Sequence, residues 1–144
     1  MGKIITQVKM TNVMNKAQSL EFSAVVDTGA THLTLPMAWR KHFTDVDFQQ
    51  DSLAEIADGS TVEGELAGPF LVEIGDGLSR ANGDVFFMDM KPNERGDYEV
   101  LLGHLALQYG RLGVDMLNHR LFKVNYVDCK GGMKIRPRKV ELKN

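Results

Sequence analysis

The sequence predicts an all-β fold, a barrel or sandwich, on three observations: short apolar runs alternate with polar residues, turn dipeptides recur between them, and there is room for only two small helices. A chain of 144 residues can bury a sizeable core as one domain without disulfides or metal. Its composition, 43% hydrophobic and 25% charged, is that of an ordinary globular chain and points away from disordered and membrane classes.

Taken in order, Lys3 to Met10 alternates polar with apolar residues, and a second run, Leu20 to Val26, follows the polar stretch Thr11 to Ser19, so the chain should begin with a hairpin. Asp27 ends the second strand. Leu33-Thr34-Leu35-Pro36 reads as a short strand stopped by its proline, and Met37 to Phe43 as a short helix in which Trp39 and His42 serve packing. Leu53 to Ala57 and Thr61 to Leu66 flank Asp58-Gly59, a dipeptide favoured where a tight hairpin needs positive φ angles. Two further strands, Pro69 to Ile74 and Asp84 to Met90, are separated by Gly75-Asp76-Gly77, a turn without the character of a phosphate loop. Glu99 to Leu102 is a short apolar strand ending at Gly103, and His104 to Tyr109 suits a helix of about two turns closed by Gly110. A last hairpin, Leu112 to Leu117 and Leu121 to Tyr126, turns at Asn118-His119.

The formal net charge of -2 is too small to imply an electrostatic partner for the whole chain. Its distribution is uneven, with six Lys/Arg against two Asp/Glu in residues 128–144, which read as a solvated basic segment. The single cysteine, Cys129, has no partner for a disulfide and no zinc-ligand spacing, so a reduced, cytoplasmic setting is expected, with no metal and no cofactor. Neither a signal peptide nor a membrane-spanning stretch is expected, and Gly2 with Thr6 fits a myristoylation pattern only by chance.

Chemistry concentrates at one place. In Phe22-Ser23-Ala24-Val25-Val26-Asp27-Thr28-Gly29-Ala30, an apolar strand delivers a carboxylate into a turn of small residues. Gly29 allows its amide to approach that carboxylate closely, Thr28 offers a hydroxyl, and Ala30 leaves room beside the loop. A lone Asp-Thr-Gly also arises as an ordinary turn in which Asp caps its own backbone. Amide hydrolysis by carboxylates needs two of them sharing a proton, and this chain supplies the motif once.

The segment resembles the active-site loop of retropepsin-like aspartic peptidases, single-domain relatives of retroviral proteases. Leu33-Thr34-Leu35-Pro36 sits where that family places the strand after the catalytic turn, Ala57-Asp58-Gly59-Ser60 where it places the flap, and Leu101-Leu102-Gly103 resembles its hydrophobic-hydrophobic-glycine segment. The resemblance covers residues 3 to 126 and implies a closed barrel of the retropepsin-like acid protease type with one or two short helices. It divides the chain into a peptidase domain, residues 1–126, and a basic C-terminal extension, residues 127–144.

By the same resemblance, an aspartic endopeptidase would form across a homodimer, with Asp27, Thr28 and Gly29 as catalytic residues and Ala30, Ala57, Asp58 and Gly59 binding a peptide or protein substrate. Two Asp27 side chains would share one proton and activate water, with an optimum less acidic than in relatives bearing Ser or Thr in place of Ala30. The chain departs from the pattern at His104-Leu105, where retroviral enzymes carry Arg-Asp or Arg-Asn, and at the flap tip, which holds one glycine. The rival reading is a non-catalytic dimeric domain that binds peptides or assembles. Nucleic acid is not an expected partner, because basic and aromatic residues are not interleaved, and neither is a membrane.

Overall fold

A computed structural model describes residues 3–124 together with the residue pairs 127–128 and 134–135. The opening hairpin joins β1 (Ile5–Asn12) to β2 (Asn15–Val26), antiparallel from Ile5 opposite Val25 to Asn12 opposite Asn15. Its turn is stabilised from within: buried Asn12 donates to Gln18 Oε1 (3.0 Å) and to the Asp45 carbonyl (3.2 Å), and its Oδ1 accepts the Met14 amide (3.0 Å). Every hydrogen-bonding group of that buried amide therefore has a partner, as burial of a polar side chain demands.

After β2 the chain makes a tight turn into β3 (Leu33–Pro36) and then a single 3-10 helix, Met37–His42. β4 (Phe48–Glu55) and β5 (Thr61–Ile74) form a long hairpin, and β6 (Ser79–Met88) returns antiparallel along β5. The sequence suggests two strands, 61–66 and 69–74, where the structure has one. β5 runs on because the β5–β6 register shifts between Ala67 and Phe70, and a bulge accommodates Pro69, which has no N–H to give a ladder. β7 (Val100–Leu102), the helix α1 (His104–Tyr109) and the hairpin of β8 (Leu112–Asp115) with β9 (Arg120–Lys123) complete the chain as far as residue 124.

Seven strands form one mixed sheet in the order β1-β2-β7-β3-β6-β5-β4, and β1 also pairs with β5, which curls the sheet over its own core. The closed barrel of the acid protease type is corrected by this topology. Parallel ladders join β2 to β7 and β3 to β6, among antiparallel ones, and among the described residues β4 stands at an open edge. Between β7 and β3 the ladder narrows to one residue pair, Thr34 with Leu101, although β7 pairs with β2 over all three of its residues. A wall that thin is not a continuous barrel.

The core lies within the curl. Phe43, Phe70 and Phe87 pack edge-on or tilted at centroid distances of 5.0 to 6.4 Å, beside fully buried Met10, Leu33, Leu35 and Val85. Of the basic extension, residues 127–144, only β10 (Val127–Asp128) and β11 (Lys134–Ile135), paired antiparallel, are described; Cys129 lies outside the described residues, as do the last two residues of the predicted strand Leu121 to Tyr126. Among the described residues no helix is long and apolar enough to cross a membrane.

Candidate functional site

The turn after β2 is shaped by its own aspartate. The Asp27 amide donates to the Leu102 carbonyl at 3.0 Å, which fixes the turn to the end of β7, while Asp27 Oδ1 accepts the Gly29 amide at 2.9 Å. The Ala30 amide donates to the Asp27 carbonyl at 3.1 Å. These bonds are those of an Asx-type turn, the ordinary use of Asp at such a position. From the other side, the amides of His104 and Leu105 donate to the carbonyls of Ala30 (2.9 Å) and Thr31 (3.0 Å). Gly103 permits that approach, since a Cβ there would collide with the backbone of Ala30, Thr31 and His32.

The peptidase expected of this turn is corrected on the same geometry. A carboxylate dyad requires a second acid within hydrogen-bond reach. Among the described residues Asp27 forms no ion pair, and the one hydrogen bond at its side chain comes from the Gly29 backbone. The described residues contain no cluster of three or more His, Cys, Asp or Glu side chains able to hold a metal, and none that brings a second carboxylate to Asp27. With the closed barrel absent as well, the aspartic endopeptidase and its hydrolase assignment do not stand. Asp27, Thr28, Gly29 and Ala30 are gathered in one braced turn, with Thr28 and Gly29 exposed.

Ala57, Asp58 and Gly59 lie at the exposed tip of the β4–β5 hairpin. Gly59 takes a φ of 85°, and its amide donates to the Ile56 carbonyl at 2.9 Å. Asp58 Oδ1 accepts the Ser60 hydroxyl (2.5 Å) and amide (2.8 Å), and these bonds hold its carboxyl below the ordinary range. Among the described residues no hydrogen bond joins this tip to the turn at Asp27.

A different feature stands out on the sheet. Among the described residues β4 pairs on one side only, with β5, so every second residue of its eight turns its N–H and C=O outward. Beside it lies an open groove of about 1230 Å³, lined by Met37 and Asp89, by Gln50 to Leu53 of β4 and by Thr61 to Gly64 of β5. Leu53 is 66% exposed and opposite Glu63 in the ladder. The hairpin was legible in the sequence through Asp58-Gly59, but its open edge was not, because pairing with distant strands decides which strand is left at a border.

A second cavity, about 80 Å³, lies between β6 and α1 and is bordered by His32, Asp84 and Tyr109. It is too small for an extended peptide. Compared with protein-family models and with curated proteins, the chain matches none, so no family, the retropepsin-like one included, is supported for it.

Proposed function

We propose that this protein is a binding module that receives an extended peptide segment of another protein along the free edge of β4. The observation that carries the reading is that edge: eight residues with one ladder neighbour among the described residues, flanked by an open groove and by exposed Leu53. Sheet edges of this length are commonly blunted by proline, lysine, a bulge or a covering element. β4 contains no Pro and no Lys, and its pairing with β5 runs unshifted from Phe48 to Glu55. An added strand would draw affinity from main-chain hydrogen bonds and specificity from alternate side chains. Ala57, Asp58 and Gly59 then stand at one end of the bound segment. A reducing, cytoplasmic setting, expected from the single Cys129, belongs to the same reading.

Backbone amide shifts of labelled protein, titrated with a library of β-prone peptides, test this. Shifts concentrated on residues 48–55 and lost in Leu53→Ser are the expected result; shifts centred on residues 27–31, or peptide hydrolysis that disappears in Asp27→Asn, would overturn it. Light scattering on the same samples separates a complex of one chain with one peptide from two chains joined edge to edge.

A further inference from the structure

Resting on the reading of β4 as a strand acceptor, we infer that the segment it accepts is cationic, with basic, apolar and basic residues at alternate positions. The first ground is charge. From Thr44 to Ser79 the sequence holds nine Asp or Glu and no Lys or Arg, although the chain as a whole has a net charge of only -2. Three of these acids are already engaged: Glu65 pairs with Arg40, Asp45 accepts Asn15 Nδ2 and the Thr44 hydroxyl, and Asp58 accepts the Ser60 hydroxyl and amide. Asp51, Glu63 and Asp89 line the groove, and among the described residues no Lys or Arg lines it and none of the three acids is in an ion pair.

The second ground is the period of a strand. Asp51, Leu53 and Glu55 are two residues apart on β4 and so point to one face, with Glu63 of β5 opposite Leu53 on that face. A strand laid against β4 in either direction places its own alternate residues beside these three. Opposite charges in neighbouring strands attract and like charges repel, so Lys or Arg fits beside Asp51 and beside Glu55, and an aliphatic residue fits beside Leu53. The recognised pattern is thus basic-x-apolar-x-basic. The same acids disfavour a second copy at this edge, since two β4 strands would bring several carboxylates into one another's range.

Three labelled peptides, Thr-Lys-Thr-Val-Thr-Lys-Thr and its versions with both Lys replaced by Thr or by Glu, separate the two claims by fluorescence anisotropy. The Lys peptide is expected to bind at least about tenfold more tightly than the Thr peptide at low salt, with the gap closing at high salt as exposed charges are screened. The double variant Asp51→Asn, Glu55→Gln should reduce that gap to about twofold or less, since both acids are exposed and neither is in an ion pair among the described residues. Equal affinity of the Lys and Thr peptides at the β4 edge would overturn the charge inference while leaving the strand acceptor intact. Binding by none of the three, with the Leu53→Ser variant indistinguishable from the parent, would overturn both.

Discussion

Arg40 Nε donates to Glu65 Oε1 at 2.5 Å, with the two side chains only 17% and 21% exposed. The same guanidinium donates to the Phe43 carbonyl and, at 3.0 Å, to Gln49 Oε1, and its Cζ lies 5.9 Å from the centre of the Phe87 ring. One side chain thereby ties the 3-10 helix to β4, β5 and the aromatic core. Planar, multiply donating arginine suits this position in a way that lysine does not.

Removing one member of that pair leaves the other partly desolvated and unmatched. Glu65→Gln and Arg40→Met are each expected to cost about 2 kcal/mol, below the range for fully buried pairs because water still reaches both groups. Urea midpoints at neutral pH check this. A loss under about 0.5 kcal/mol in both variants would show that the pair behaves as an exposed one.

Much of this frame is legible in the residues, and the illegible part has physical causes. Alternation located β1, a second run the later half of β2, and a proline stop β3, and Gly110 correctly closes α1. β4 was expected to begin at Leu53, whereas it begins at Phe48, because Gln49, Gln50 and Asp51 give an exposed edge strand no apolar alternation to detect. Sheet closure was misjudged for a different reason. Strand periodicity reports which face is buried but not how many rungs two short strands share, and the single Thr34–Leu101 pair is a tertiary outcome. At Asp27 the local turn chemistry was readable, whereas the partner carboxylate was a claim about a second surface on which one chain's residues are silent. The acid-only run from Thr44 to Ser79 was plain in the sequence and gains meaning only once β4 is seen to be an edge.

Gly103 offers a second test, of the brace beneath the Asp27 turn. Gly103→Ala would drive a methyl group into the backbone of Ala30, Thr31 and His32, where no flexible side chain can yield. The expected loss is about 3 kcal/mol, at the upper end for overpacking, because the strained atoms are main chain. Chemical denaturation measures it, and amide exchange at His104 and Leu105 should accelerate with it, as their bonds to Ala30 and Thr31 are the first to part.

Asp27 itself should matter to stability as an acceptor rather than as a charge. Asn keeps an oxygen for the Gly29 amide, so Asp27→Asn should stay within about 0.5 kcal/mol of the parent, whereas Asp27→Ala should lose about 1 kcal/mol with the hydrogen bond. Thermal unfolding of the two variants separates these outcomes. If Asn were as costly as Ala, the carboxylate charge would be doing more than capping the turn.

His32 supplies a pH dependence whose sign is fixed by its surroundings. Burial beside the small cavity is the largest influence and lowers its pKa from 6.5; Asp84 pulls the other way and His104 adds to the lowering. The unfolded chain therefore takes up a proton at a higher pH than the folded chain does. Stability from this group is fully present above pH 6.5, is lost as pH falls from there through the folded value, and then levels off. Urea titrations at about pH 7.5 and about pH 5.5 should show a loss in the parent that shrinks in His32→Gln, which cannot take up the proton. Asp84→Asn should enlarge the loss, because it removes the one facing carboxylate that helps the imidazolium. Identical losses in all three proteins would place the acid sensitivity of the fold at other groups.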